Sequence, residues 1–349
     1  MGGTAPTEKP EEFGWTEFSW NRNGGGAMAR TRYAPDRGLI ARMGLTIFLL
    51  GVVFVAFILA LVLILGASHR ASGAGIVILP VLLALGLGFG SYYWSDKIAL
   101  RSAGAQLVTP QDGPQAAQLH GVVDRICALA DMPKPRVAIA PSPMPNAFAT
   151  GRNSKTAVIC ATSALLDGRL NEQELEGVLA HEMSHVAHKD VAVMTIASFI
   201  GIAAALLVRF AFYGELFGGG GGRGRGGNNN DNSGLIMLAI IAVGVVVYAV
   251  SFLLIRVLSR YRELSADRSA ALLTGQPSAL ASALQKVTGE MARIPTKDLR
   301  AAEPLNAFYF APALASRGAG VSLSALFSTH PSLERRLNEL AKISEQLAR

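Results

Sequence analysis

The apolar residues of this chain are gathered into four long blocks, and nothing else in the sequence limits its fold as much. Leu45–Leu65, Ile76–Trp94 and Leu235–Ile255 carry no charge. Val191–Val208 is also uncharged, and its apolar run continues past Arg209 to Tyr213. Each block is close to or above the roughly 18–20 residues a helix needs to cross about 30 Å of hydrocarbon. A soluble core helix rarely stays apolar on every side for so long, so four membrane spans are expected. The first block does not read as a signal peptide. It starts far into the chain, is too long for a signal core, and is followed closely by a second span. The chain is 50% hydrophobic and only 16% charged, where soluble domains carry about 25% charged residues. That excludes a purely soluble enzyme and a disordered chain.

Pro80, Gly86, Gly88 and Gly90 fall inside the second block. A bilayer tolerates them, because neighbouring helices satisfy the freed backbone groups. Tyr92, Tyr93 and Trp94 suit the aromatic belt at the interface. The net charge is +7. Its distribution reads as orientation and not as nucleic-acid binding. Arg22, Arg30, Arg32, Arg37 and Arg42 precede the first span, and Lys97 and Arg101 follow the second. Lys189 precedes the third, and Arg256, Arg260, Arg262 and Arg268 follow the fourth. The opposite loops hold only Arg70, Arg223 and Arg225. Both termini and the long middle segment are therefore expected on the cytoplasmic side of the cell membrane. No Asp, Glu or Lys lies inside a span, which argues against an ion or proton relay. Cys127 and Cys160 form no paired motif and read as small core residues in a reducing compartment.

The expected organisation has five parts. Residues 1–38 form a disordered tail, and 39–95 form a transmembrane hairpin. Residues 96–190 make the first part of a cytoplasmic α+β domain. Residues 191–257 form a second hairpin with a low-complexity outer loop at 217–234. Residues 258–349 complete the cytoplasmic domain. Helical periodicity runs over Gln115–Asp131, and short strands are expected at Arg136–Ala140 and Lys155–Cys160. The stretch Asn146–Ser154 between them has hairpin-turn chemistry. Asn171 followed by Glu174 is a capping-box signature that starts another helix. After span four a helix is expected to about Leu273, then helices over Ser278–Ala292 and about Ser332–Ala348. Pro295–Ser328 is expected to be irregular.

The capped helix carries His181-Glu182-Met183-Ser184-His185, an HExxH pattern. In a chain with 6 His, such a pattern arises by chance on the order of 0.4% of the time. Histidines at i and i+4 share a helix face, as two nitrogen ligands of one zinc require. Glu182 stands beside them, placed to take a proton from a water at the metal. A catalytic zinc needs a third protein ligand and an open position. His185 lies six residues before Val191, about 9 Å along a helix. The metal helix thus leads almost directly into span three, and span four returns the chain at Arg256. Glu263 then lies a similar distance from the membrane, placed to complete a His-His-Glu site. Asp267 shares its face and can accept a ring N–H from a ligand histidine. His188 is near the metal helix but off its ligand face, so a surface position is expected. On its residues alone Asp190 reads as the end of the soluble helix, and His69 and His120 belong to no pattern.

Three segments together, "ELEGVLAHEMSHVAHKD" (174–190), "SRYRELSAD" (259–267) and "THPSLERRL" (329–337), resemble the HtpX-type membrane zinc metallopeptidases, relatives of the prenyl-protein CAAX endopeptidases. The resemblance covers about residues 40–349. It implies a mainly α membrane protein, with four transmembrane helices and a cytoplasmic α+β gluzincin-type zinc peptidase domain. It implies one Zn2+ per chain held by His181, His185 and Glu263, with Glu182 as general base. "PNAFATG" (145–151) matches the family's substrate-binding edge, which makes Asn146, Ala147, Phe148, Ala149, Thr150 and Gly151 candidate substrate contacts. His330 and Arg336 match an HP…R element; one of them steadies the oxyanion, or His330 caps the zinc at rest. Asp190 also fits the family pattern. Ser332 stands where a second proline is common, and nothing carries over to the tail. The implied partners are unfolded or membrane-protein substrates and the lipid bilayer, in protein quality control. Two alternatives stay open: a zinc-bound membrane scaffold or chaperone, and CAAX cleavage, which the larger helical barrel of that family disfavours.

Overall fold

The structure, a computed structural model, describes residues 37–67, 82–83, 85–90, 92–190, 193–194, 202–203, 205–206, 208–209, 233–293 and 330–349. Most of the expected tail, the 217–234 loop, Pro295–Ser328, His69, and much of spans two and three lie outside the described residues.

The described helices are α1 (Arg37–Ala67), α2 (Ser95–Ser102), α3 (Pro114–Ala130), α4 (Glu172–Ala187), α5 (Ser233–Thr274), α6 (Pro277–Arg293) and α7 (Leu333–Leu347). The strands are β1 (Gln106–Leu107), β2 (Arg136–Ala140), β3 (Ala147–Thr150) and β4 (Val158–Thr162). The chain is mainly α with one small sheet.

Two described helices are long and apolar enough to cross a membrane, at Ile40–Ala60 in α1 and Leu238–Thr274 in α5. Only 22% of the most apolar window of each is buried, whereas the core helix of a soluble domain is mostly buried. Phe48 and Leu63 on α1, and Leu235 and Val246 on α5, are well over half exposed. The two helices pack together through Leu50, which sits against Phe54, Leu254 and Ile255. Further along, Met43 and Leu258 are buried with Val193, Met194 and Tyr261. The Arg42 guanidinium caps that contact, 4.1 Å above the Tyr261 ring, where an aromatic face attracts a cation. α5 has 42 residues, which makes it about 63 Å long, roughly twice the thickness of a hydrocarbon core. One unbroken helix therefore serves both as an apolar span and as a wall of the site beyond it.

The remaining described elements are built on the sheet, in the order β1-β2-β4-β3. β2 runs parallel to β4, and β3 runs antiparallel to β4 at the sheet edge. Leu119, Val123 and Ile126 of α3, Leu175, Val178 and Leu179 of α4, Leu280 and Leu284 of α6, and Leu340 of α7 form one core against Ile159 of β4. α4 and α6 approach closely at Gly177, where a Cβ would lie 3.2 Å from the Leu280 Cα.

β2, the start of α4, and helices α3, α6 and α7 fall within a residue or two of their expected positions. Two strand assignments change. β4 starts at Val158, not Lys155, and the first half of the expected Asn146–Ser154 turn is the strand β3. The chain reverses at 151–157, where Asn153 Oδ1 accepts from the Thr156 N–H and hydroxyl at 2.9 and 3.0 Å. Gly151 has φ +115, and a Cβ there would stand 2.7 Å from the Thr156 carbonyl oxygen. Only glycine fits that position. Gly151→Ala is expected to destabilise the protein by at least about 1 kcal/mol. Thermal melting of the detergent-solubilised chain checks this, and an unchanged midpoint would contradict the turn geometry.

Candidate metal centre

The site begins with the phasing of α4. Asn171 Oδ1 accepts from the Glu174 N–H at 2.8 Å, and Glu174 Oε2 accepts from the Asn171 N–H at 2.8 Å. This reciprocal cap fixes where the helix starts, and so which face it turns inward. His181 and His185 then lie one turn apart, their rings 5.0 Å between centroids and nearly perpendicular. Glu263 of α5 faces both. Its Oε2 is 3.5 Å from His181 Nε2, and its Oε1 is 3.6 Å from His185 Nε2. The ligand atoms of the three residues lie within 4.8 Å of one another. Tetrahedral zinc bonds of about 2.0–2.1 Å place neighbouring ligand atoms about 3.3–3.4 Å apart, so the spacing fits one small ion.

The donor chemistry fits as well. His181 Nδ1 is 2.9 Å from Asp267 Oδ1, and His185 Nδ1 is 2.6 Å from Asp190 Oδ2. With Nδ1–H donating to a carboxylate, each neutral ring keeps its Nε2 lone pair for a metal. Both carboxylates are buried, and both are held from behind. Arg336 Nε and Nη2 donate to Asp267 Oδ2 and Oδ1 at 2.7 and 2.6 Å. Arg262 Nε lies 2.9 Å from Asp190 Oδ2. His330 Nδ1 is 2.9 Å from Glu263 Oε2.

Burial works against each ionised acid here, and the groups bonded to it outweigh that burial. His330, His181 and His185 hold Glu263 well below the usual carboxylate range despite its burial. Arg336 and His181 likewise keep Asp267 low, and Arg262 and His185 keep Asp190 low. Glu182 is the exception. Burial, aided by the Glu263 charge, raises it against the pull of His181 and His185. Its Oε2 accepts the Ala149 N–H at 3.2 Å, so it sits against the outer edge of β3. A carboxylate raised by burial next to two metal-ligand candidates suits a proton acceptor.

The structure brings His181, Glu182, His185, Glu263, Asp267, His330 and Arg336 to one place. The Asn146–Gly151 segment divides by residue. Ala149 meets Glu182 through its main chain. Phe148 packs on the opposite sheet face with Val158 and Cys160. Ala147 joins the main core, and Asn146 is tied to Thr162 through its backbone. Thr150 is buried, and Gly151 makes the turn. His188 is half-buried and outside the ligand group. His120 Nε2 lies 2.9 Å from the Val108 carbonyl oxygen, in another part of the fold.

The contacts of Asp190 with His185 and Arg262 are what sequence reasoning missed; the resemblance marks Asp190 without giving it a partner. Had α4 run straight into span three, residue 190 would stand about 140° around the helix from residue 185, out of reach. Instead α4 ends at Ala187 and Lys189 takes φ +58, one of two non-glycine residues with positive φ among the described residues. That conformation costs about 1–2 kcal/mol, and it turns Asp190 back towards His185.

Burial lowers the pKa of the metal-free His181 imidazole, but Asp267 and Glu263 outweigh it and carry the group up to about 9. Protonated at neutral pH, His181 must give up that proton to bind a metal. Zinc binding at pH 7.5 is therefore expected to release about one proton from this ring, and apparent affinity is expected to rise about tenfold per pH unit below 9. Calorimetry in buffers of different ionisation enthalpy measures the release; heats independent of buffer would contradict it.

Residues 114–344 match the family model for peptidase family M48, a stretch that includes every residue of the site. The chain is 54% identical to the protein named protease HtpX homolog 1 of Streptomyces coelicolor, over 91% of this chain and 97% of that one. It is 49% identical to the protease HtpX homolog of Moorella thermoacetica, over 91% and 98%. It is 45% identical to protease HtpX homolog 2 of Methanosarcina mazei, over 91% and 100%. With that match over most of its length, and with the family's motif residues converging on one buried site, the chain belongs to peptidase family M48 and is an HtpX-like protease.

Proposed function

We propose that this chain is a multi-pass zinc endopeptidase of the cell membrane, with its termini and active site on the cytoplasmic side. Its proposed substrates are unfolded, damaged or misassembled proteins, many of them membrane proteins. The observation that carries the reading is the placement of Glu182, beside the His181-His185-Glu263 cluster and against the outer edge of β3. His181, His185 and Glu263 would hold one zinc. When bound, the ion supplies Lewis-acid polarisation of a carbonyl and lowers the pKa of water towards about 7.

The chain's own residues do the rest. Glu182 accepts the proton of the attacking water and returns it to the leaving amine. Asp267 and Asp190 hold the two imidazoles in the tautomer that presents Nε2. Arg336 already donates from two nitrogens to Asp267, so of the two C-terminal candidates His330 is the better placed to steady the oxyanion.

Substrate selection follows from β3. It pairs with β4 on one side, and Ala149 turns its N–H away from β4 towards Glu182. Alternate residues of a strand share that direction. An extended substrate added beside β3 would be held mainly through its main chain, which is tolerant of sequence and requires an unfolded segment. Arg256, just past the fourth apolar block, and Glu263 are separated by about 10 Å of helix. That favours substrates presented at the membrane surface and supports a role in quality control.

Glu182→Gln is expected to keep zinc while casein cleavage falls by about 10²–10⁴-fold. Cleavage at the wild-type rate would contradict the role of Glu182. Glu263→Ala is expected to lower the zinc content of the purified protein, and unchanged occupancy would remove Glu263 from the ligand set.

A further inference from the structure

We propose that Asp190, clamped by Arg262, is a positioning residue for His185 and sets how tightly the site holds its metal. The inference rests on the zinc reading above. Asp190 is 1% exposed. Its Oδ2 lies 2.6 Å from His185 Nδ1 and 2.9 Å from Arg262 Nε. The two partners come from different elements, the end of the HExxH helix and the α5 segment next to Glu263. One carboxylate oxygen therefore joins the ring of one ligand to the neighbour of another. The backbone is bent to allow it: Lys189 takes φ +58 directly before Asp190, and its N–H bonds back to the Val186 carbonyl at 3.2 Å.

The position in the chain adds a consequence. Asp190 directly precedes the third apolar block, and Arg262 lies just beyond the fourth. The pair ties the entry of one block to the exit of the other, at the level of the metal ligands. His181 has a parallel arrangement in Asp267 and Arg336. That arrangement lies within α5 and α7, whereas the His185 arrangement depends on where the chain leaves α4.

The test uses the full chain in detergent, stripped of metal and titrated with zinc against a competing chelator. Asp190→Asn is expected to weaken zinc binding by about 10–100-fold. It is also expected to shift the visible bands of the cobalt(II)-loaded protein, because the His185 ring loses its fixed orientation. Arg262→Gln is expected to weaken zinc in the same direction, with Arg262→Lys restoring most of the loss. A purely structural role would lower the melting temperature and leave affinity and cobalt spectrum unchanged in the folded protein. That result would overturn the proposal. If Asp190→Asn fails to fold, the Arg262→Gln and Arg262→Lys pair decides: equal zinc affinity in both overturns it. A wild-type chain that binds no zinc would count against the zinc assignment itself, a failure distinguishable from wild-type affinity retained in Asp190→Asn.

Discussion

A carboxylate buried out of water stays ionised only if cations meet it, and Asp267 is the group on which this structure turns. It is 1% exposed, and taking such a charge out of water costs several kcal/mol before any partner is counted. The Arg336 fork and the His181 ring together offset that cost. The result is a convergence of three helices. α4 brings the histidine, α5 brings the acid, and α7 brings the arginine, itself almost fully buried. Removing one partner leaves an uncompensated charge in the interior, so the geometry of the His181–Glu263 cluster and the docking of the C-terminal helix are one energetic problem.

The same logic explains why α5 is so long. Its apolar part is exposed over a width that only a bilayer or further helices can cover, and it packs α1 at Leu50 and Leu258. Beyond Ile255 the helix turns charged, and Glu263, Asp267 and Arg262 follow on the segment that faces α4. Helix continuity thus couples the position of the apolar segment to that of Glu263, with no loop between them to absorb error. The other wall is built differently. α4 breaks at Lys189 before the chain enters the third apolar block.

Much of this was legible in the residues. HExxH spacing gives a shared helix face, and the Asn171–Glu174 cap appears where its sequence signature stands. Glu263 and Asp267 are reached from the expectation that the third and fourth apolar blocks form a hairpin, which brings the segment after Ile255 back beside His185. From the residues alone β3 reads as turn chemistry, because the Gly and Asn that follow Thr150 dominate the stretch, and only the resemblance points to an edge there. Its identity comes from pairing with β4, a tertiary effect. Asp190 was hidden for a backbone reason: the left-handed turn at Lys189 has no glycine to announce it. Arg262 reads only as part of the positive charge after the fourth block, and Arg336 as a candidate for the oxyanion, until the fold supplies the buried acids they meet.

The central claim is that two imidazoles and one carboxylate converge on a single zinc ion. Metal analysis of the purified wild-type chain, combined with X-ray absorption at the zinc edge, tests this most directly. The account expects one zinc per chain, bound by two imidazole nitrogens and by oxygen, at about 2.0–2.2 Å. A metal-free protein that takes up no zinc, or an absorption spectrum showing sulfur ligands or no histidine scattering, would contradict it.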